Sequence, residues 1–103
     1  MDVITEDKHL EKLYKEGSSK KLKLPEQVVK KFFMRIDAIQ NANTIYDLWK
    51  NPSMNFEKLE GFENRYSIRL NRQYRLEAEV TWENEERTKG IFHLKKISKH
   101  YEK

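Results

Sequence analysis

The stretch Leu59–Val80 constrains the fold most, because apolar and polar residues alternate along two neighbouring segments within it. A period of two residues is typical of a half-buried β-strand, and two such segments in succession predict a β-hairpin. If both apolar sets face one core, Leu70 pairs with Tyr74 across the turn. The remaining pairs are then Ile68 with Leu76 and Tyr66 with Ala78. The turn has about three residues, among which Asn71 is able to adopt a left-handed backbone conformation.

This register places Arg69 opposite Arg75 on the outward face of the hairpin, with Arg65 farther along the same side. Like charges that are directly opposed across a strand pair are mildly destabilising. Either the neighbouring Glu77 and Glu79 neutralise the arginines on a solvated face, or an anion binds between the two guanidinium groups. The pattern alone leaves both interpretations open.

The composition is that of a small, basic, folded protein. At 103 residues the chain is long enough for one domain, which we expect to span residues 1–103. Charged residues make up 37% and the mean hydropathy is −0.99, yet 12% aromatic content provides apolar surface for a core. The net charge of +4 and the pI of about 9.2 favour a polyanionic partner such as nucleic acid.

Several classes of site are excluded by residue type and spacing. The chain has no cysteine, so it holds neither a disulfide framework nor a thiolate metal site. His9, His93 and His100 lie far apart without a second ligand at metal-binding spacing, and we expect neither a metal nor a cofactor. Residues 1–12 lack the features of a signal peptide, and no apolar run approaches the roughly 20 residues that cross a bilayer. A cytoplasmic location without a membrane partner fits these observations.

Two amphipathic helices are predicted before the hairpin. Asp7 can cap the first, which carries Leu10 and Leu13 on its apolar face and ends at Gly17. The second spans about Pro25–Asn41, with Pro25 as its first residue. Its apolar residues recur at helical spacing and are Val28, Val29, Phe32, Phe33, Ile36 and Ile39. We expect this face to cover the apolar face of the hairpin.

The opposite face of the second helix carries Lys30, Lys31 and Arg35, for which solvation is the favoured interpretation and phosphate contact the alternative. Thr44 and Asp47 are arranged to cap a short helix that ends near Trp49.

Two further strands complete the predicted sheet. An edge strand is expected at Asp2–Ile4, and a strand at Ile91–Ile97 whose alternation breaks near Lys96, as at a β-bulge. Together these elements predict an α+β fold with a small antiparallel sheet packed against two N-terminal helices.

Four short motifs in this order and spacing resemble the HigB toxins, a branch of the RelE-like superfamily of bacterial toxin–antitoxin systems. The motifs are Glu16-Gly17, Leu59-Glu60-Gly61, Tyr66-Ser67-Ile68-Arg69 and the segment from Asn71 to Tyr74-Arg75. The resemblance implies a RelE-like fold and a metal-free ribonuclease, which in many relatives acts on mRNA in the ribosomal A site. It also implies inhibition by a co-encoded antitoxin, which we expect to be a HigA-like helix-turn-helix protein.

The resemblance also implies the candidate catalytic residues. The superfamily uses a His or Glu before the leucine-x-glycine step, arginines on the hairpin, and a His or Tyr near the C-terminus. In this sequence those positions are Glu57, Arg69, Arg75, His100 and Tyr101. Two departures stand out: many HigB proteins have lysine where this chain has Glu60, and several end in Asp-Tyr-His where this chain has His-Tyr. The further basic residues that we predict to bind substrate are Arg65, Arg72, Lys95 and Lys99.

Metal-free RNA cleavage uses the ribose 2′-OH as the nucleophile, so the protein must accept one proton, donate one and stabilise the phosphorane. Arg69 and Arg75 suit the third task because guanidinium groups bind phosphate with two parallel hydrogen bonds. Glu57 is the candidate base. His100 is the candidate acid, since histidine titrates near neutrality, and Tyr101 is suited to stack a base or orient the phosphate.

A non-enzymatic function is the alternative. ParE-type toxins share the architecture but act on DNA gyrase, and a basic nucleic-acid-binding module would have similar composition. A protein that only binds has no need of a titrating group beside two opposed arginines. Cleavage of RNA that depends on pH would therefore favour the enzyme.

Overall fold

The predicted hairpin forms the centre of a five-stranded sheet in the computed structural model, which describes residues 1–99. The strands lie in the order β1-β5-β4-β3-β2. Their bounds are β1 Val3–Thr5, β2 Glu57–Lys58, β3 Arg65–Arg69, β4 Tyr74–Trp82 and β5 Gly90–Lys99. The helices are α1 Lys8–Glu16, α2 Glu26–Asn41 and α3 Ile45–Trp49, followed by a 3-10 turn at Pro52–Met54.

The register of the hairpin is the predicted one. Tyr66 pairs with Ala78, Ile68 with Leu76 and Arg69 with Arg75. The role expected of Asn71 was wrong, because its φ is not positive. Instead its side-chain oxygen accepts hydrogen bonds from the backbone N–H groups of Gln73 and Tyr74, both at 2.8 Å. The turn is thus closed by an asparagine side chain that replaces a backbone acceptor.

The sheet is mixed, whereas the sequence suggested an antiparallel one. β1 is the predicted edge strand, but it runs parallel to β5, with Val3 opposite Phe92. β2 has only two residues and pairs antiparallel with β3. The predicted bulge in β5 is present: Glu77 pairs with Lys96 and Ala78 with Leu94, which leaves Lys95 as the extra residue.

Gly90, the first residue of β5, lies where only glycine fits. A Cβ atom at this position would lie 2.5 Å from Cγ1 of Val80 and 2.7 Å from the carbonyl oxygen of Thr81. Residues 83–89 form a charged turn between β4 and β5, and the close approach of β5 to β4 after this turn depends on Gly90.

Both helix ends predicted for α1 are confirmed. The Asp7 carboxylate accepts hydrogen bonds from the N–H groups of His9 and Leu10. Gly17 has a φ of +76° and donates its N–H to the carbonyl of Leu13 at 2.8 Å. In α2 the predicted start was early by one residue, because Pro25 is the N-cap and the helix begins at Glu26.

The assignment of Arg35 to the solvated face of α2 was wrong. Arg35 is buried, with 7% of its surface exposed, and its guanidinium donates to two backbone carbonyls. The acceptors are Arg69 at 2.9 Å from Nε and Ser53 at 3.0 Å from Nη2. Because both carbonyls come from other elements, their position was not visible in the helical pattern.

One hydrophobic core joins the helices to the inward face of the sheet. From α2 it contains Val28, Phe32, Ile36 and Ile39, whereas Val29 and Phe33 are only partly buried. From the hairpin it contains Tyr66, Ile68, Leu70, Leu76, Ala78 and Val80, with Tyr74 partly buried. The core leaves the other face of the sheet to carry polar side chains. Within residues 1–99, no helix has the length and apolar character to cross a bilayer.

Candidate active site

The outward face of the sheet contains a cleft of about 180 Å³ that four strands build together. Its lining residues are Glu57, Leu59, Ser67, Arg75, Glu77, Ser98 and Lys99. Strand pairing explains why they meet: Glu57 lies opposite Ser67, Ser67 opposite Glu77, and Arg75 opposite Ser98. Of the predicted catalytic and substrate-binding residues, the cleft therefore unites Glu57, Arg75 and Lys99.

The floor of the cleft is not a solvated strand face. Ser67 is 4% exposed, and Arg75 and Glu77 are each 9% exposed. A hairpin considered alone has two open edges, but here β2 and β5 flank it and shield its central residues. The cleft thus brings two serine hydroxyl groups, a guanidinium, an ammonium and two carboxylates into one partly enclosed space. Such a set is suited to bind an oxyanion and to exchange a proton with it.

The two opposed arginines lie on the same face, as the register predicted. Arg69 is directly opposite Arg75 across the β3–β4 pair. Arg35 approaches Arg69 from the core side of the sheet through its hydrogen bond to the Arg69 carbonyl. Burial lowers the pKa of Arg35, and the charge of Arg69 adds to this effect. Positive charge is therefore concentrated where β3 ends and the hairpin turns.

The carboxylates beside these arginines are engaged with other cations. Glu77 lies 3.6 Å from Nη1 of Arg65 and 3.9 Å from Nζ of Lys96, and Glu79 lies 3.8 Å from Nη2 of Arg65. These ion pairs hold Arg65 along the strand, with only 18% of its side chain exposed. Arg65 also contacts the ring of Phe62, 4.4 Å from the ring centroid.

The other predicted residues occupy different surroundings. Arg72 lies in the exposed hairpin turn, and Lys99 has its Nζ 5.8 Å from the centroid of the Tyr74 ring while lining the cleft. Lys95 is bound to the Glu6 carboxylate at 2.6 Å, away from the cleft. His100 and Tyr101 lie outside the described residues.

A second polar network lies where β1 meets β5. Glu6 contacts Nδ1 of His93 at 2.5 Å and Nζ of Lys95 at 2.6 Å, while Nε2 of His93 is 2.9 Å from the Thr81 hydroxyl. The hydrogen bond from Lys95 is the main reason why the pKa of Glu6 lies below its ordinary value, and His93 adds to the shift. No three His, Asp or Glu side chains in residues 1–99 are arranged to hold a metal ion.

Sequence reasoning missed Ser67, Glu77 and Ser98 as residues that line the cleft. Ser67 and Glu77 share the outward parity of Arg69 and Arg75, so the alternation of the hairpin contained a signal for both. The signal for Ser98 was the break in alternation near Lys96, because a bulge there changes which residues of β5 face outward after it.

Comparisons with known proteins give a family and a related fold. The family model for HigB-like toxins, described as the RelE-like toxin of the type II toxin–antitoxin system HigB, matches residues 4–91. An uncharacterized protein of Haemophilus influenzae is 36% identical over 69 residues, which cover 66% of this chain and 67% of that protein. A YoeB/ParE toxin from Agrobacterium tumefaciens has a TM-score of 0.55 at 13% identity, over 98% of this chain and 100% of that one. At such low identity this last similarity shows a shared fold.

Proposed function

Because the chain belongs to the HigB-like toxins, the RelE-like toxins of type II toxin–antitoxin systems, we propose that it is an endoribonuclease that cleaves ribosome-bound mRNA in the cytoplasm. The observation that carries this proposal is the pairing of Arg69 with Arg75 on one strand face, beside a cleft that also contains two carboxylates. Two guanidinium groups are suited to bind the phosphate of a phosphodiester, and a carboxylate beside them is suited to accept a proton from the substrate.

The proposed reaction needs no group beyond the chain and the RNA. Glu57 takes the proton of the ribose 2′-OH, and the 2′-oxygen forms a bond to the adjacent phosphorus. Arg75 and Arg69 stabilise the charge on the phosphorane through their guanidinium groups. The bond from phosphorus to the 5′-oxygen then breaks, and His100 donates the proton that this oxygen needs. The products are a 2′,3′-cyclic phosphate and a free 5′-hydroxyl, with Tyr101 in the role of a stacking or orienting group.

RNA carries a negative charge on each phosphate, so the remaining basic residues are suited to bind it. We assign phosphate contacts to Lys99, at the cleft, and to Arg72, in the exposed hairpin turn. Lys95 and Arg65 are occupied by carboxylates in the protein alone, so RNA would have to compete with Glu6, Glu77 and Glu79 for them. As a type II toxin the protein has an antitoxin partner, for which we propose a helix-turn-helix protein of the HigA type that blocks access to mRNA.

The test is mRNA cleavage on programmed ribosomes by the parental protein and Arg75→Ala. Loss of one preorganised charge contact at the transition state should lower the rate by about 10²–10³-fold. Arg87→Ala is the matched control, since Arg87 has 55% of its side chain exposed and pairs only with Glu63 among the ion pairs of the described residues. Because Arg75 is buried, the melting temperature of each variant is measured alongside, and Arg75→Lys tests whether charge without the planar fork suffices.

Two results would oppose the proposal. Equal cleavage by Arg75→Ala and the parental protein would place the reaction elsewhere. Inhibition of DNA gyrase without any RNA cleavage would favour the ParE type of activity instead.

A further inference from the structure

The aromatic ring of Phe62 is exposed close to the cleft. Phe62 lies in the connection between β2 and β3, and 48% of its surface is exposed. It does not belong to the hydrophobic core or to the side chains that pack against the core. The turn that presents it contains Gly61, whose φ of +84° is a conformation that favours glycine.

The ring is supported from one side by a fixed cation. The Arg65 guanidinium lies over Phe62 at 4.4 Å from the centroid, and Glu77 and Glu79 hold that guanidinium through ion pairs. A cation over an aromatic face is attracted by the ring quadrupole. Because Glu77 also lines the cleft, the same carboxylate takes part in the support of Phe62 and in the wall of the candidate active site.

The ring also borders a cavity of its own. This cavity has a volume of about 260 Å³ and is lined by Lys58, Leu59, Glu60, Gly61 and Phe62. Leu59 lines both this cavity and the cleft, so the two spaces adjoin. Successive phosphates of RNA are separated by one nucleotide. If one phosphate binds at Arg75, a nucleotide next to it can therefore reach the cavity at residues 58–62.

We propose that the cavity at residues 58–62 is a base subsite, in which Phe62 stacks on the base of a nucleotide next to the scissile phosphate. The inference rests on the proposed ribonuclease function and adds to it a residue that binds substrate. An aromatic side chain offers a π-face to any base, and a neighbouring cation such as Lys58 suits the backbone phosphate of the same nucleotide. Arg65 is on this account a positioning residue that holds the ring.

The experiment combines a protein variant with a changed mRNA. Single-turnover cleavage is measured on programmed ribosomes with a parental mRNA and with mRNAs that carry one abasic site at each nucleotide flanking the cleaved bond. Phe62→Ala should lower the rate at subsaturating toxin by about 5- to 150-fold, the range expected for one lost stacking contact. Phe62→Tyr and Phe62→Trp should cleave close to the parental rate.

The decisive result is the combination. At one of the flanking positions, the abasic site should lower the cleavage rate of the parental protein as much as Phe62→Ala lowers the rate on the parental mRNA. Phe62→Ala acting on that abasic mRNA should then be no slower than either change alone makes it. Tyr46→Ala is the matched control, since Tyr46 is another aromatic residue, 56% exposed, but lies on α3. With every mRNA, Tyr46→Ala should cleave at the same rate as the parental protein.

Other outcomes overturn the base subsite in distinguishable ways. If Arg75→Ala loses cleavage but Phe62→Ala retains it, the subsite is wrong and the proposed function stands. The same conclusion follows if the losses from Phe62→Ala and from every abasic site multiply, or if Phe62→Ala weakens only the binding of the antitoxin. If the folded parental protein cleaves no RNA, both the subsite and the proposed function fail.

Discussion

Arg35 donates its Nε hydrogen to the backbone carbonyl of Arg69 at 2.9 Å, so a buried cation of α2 fixes the end of the strand that carries a candidate catalytic residue. The same guanidinium binds the Ser53 carbonyl at 3.0 Å. A lysine at this position retains the charge but lacks the planar fork that reaches both carbonyls. Arg35 therefore connects three elements, α2, β3 and the 3-10 turn, beneath the outward face.

The first prediction follows from these hydrogen bonds. Arg35→Met removes two partly buried hydrogen bonds from a charged donor, and a hydrogen bond to a charged group contributes about 1.5–3 kcal/mol. The free energy of unfolding, measured with urea, should fall by at least that amount. Lys30→Met removes the same charge from an exposed position of the same helix and should change it by less than about 0.5 kcal/mol. Equal stability of the two variants would contradict the assigned role of Arg35.

The second prediction distinguishes neighbouring rings in α2. Phe32 is fully buried, whereas Phe33 is only partly buried and packs against Tyr14 and Phe32 with centroid distances of 6.1 and 5.5 Å. Phe32→Ala should lower the free energy of unfolding by about 3–5 kcal/mol. Phe33→Ala should cost clearly less, because part of its ring contacts water already. Denaturant unfolding of both variants measures the two losses. A larger loss of stability for Phe33→Ala would contradict the described core, in which Phe32 is the more buried ring.

The third prediction concerns acid. The Asp47 carboxylate accepts hydrogen bonds from the N–H groups of Asn43 and Thr44, which hold its pKa below the ordinary value. A folded-state pKa below the unfolded one stabilises the protein above the unfolded pKa, and this contribution is lost as the pH falls through the folded pKa. Asp47→Asn should therefore melt at a lower temperature than the parental protein at neutral pH.

In acid, the two proteins should converge, because the parental carboxylate is then protonated as well. The test is to measure melting temperatures from pH 7 down through about pH 4, the range in which carboxyl groups titrate. A difference that stays constant over that range would show that the Asp47 charge is not the cause.

The central register was predictable because it depends on a local period, and β3 and β4 both carry that period. β2 was not predictable, since two residues, Glu57 and Lys58, have no period to recognise. The burial of Arg75, which is 9% exposed, was not predicted, because it depends on the strands that flank the hairpin on both sides. Burial of Arg35 escaped prediction for a related reason: its acceptors, the carbonyls of Ser53 and Arg69, are distant in sequence and have no side-chain signature.

The parts of the candidate site that were predicted came from two sources. The pairing of Arg69 with Arg75 follows from alternation alone. The choice of Glu57 among several nearby glutamates came from the family resemblance, and the structure adds that Glu57 lines the cleft with Arg75. That Glu77 shares this cleft follows only once the flanking strands are in place.

The fourth prediction assigns the proton donor. His100→Ala should lower mRNA cleavage on programmed ribosomes by about 10²–10⁴-fold, as expected for loss of a general acid. An RNA with sulfur in place of the scissile 5′-oxygen has a leaving group that departs without a proton. His100→Ala should cleave this substrate at nearly the parental rate. The rate of Tyr101→Phe relative to the parental protein should be the same with both substrates. If the sulfur-containing RNA gives no recovery, His100 is not the acid.

The last prediction separates the two carboxylates of the cleft. Glu57 is exposed on β2, whereas Glu77 is buried on β4 and bound to Arg65 and Lys96. A base must reach the 2′-OH of an incoming ribose, which favours the exposed carboxylate without an ion pair in the described part of the chain. Glu57→Gln should therefore slow cleavage by about 10²–10⁴-fold with the normal and the sulfur-containing RNA alike, because the attack step precedes departure of either leaving group. Glu77→Gln keeps the shape of the side chain and should lower the rate less, through weaker support of Arg65. A greater loss for Glu77→Gln than for Glu57→Gln, in variants with parental melting temperatures, would assign the base to Glu77.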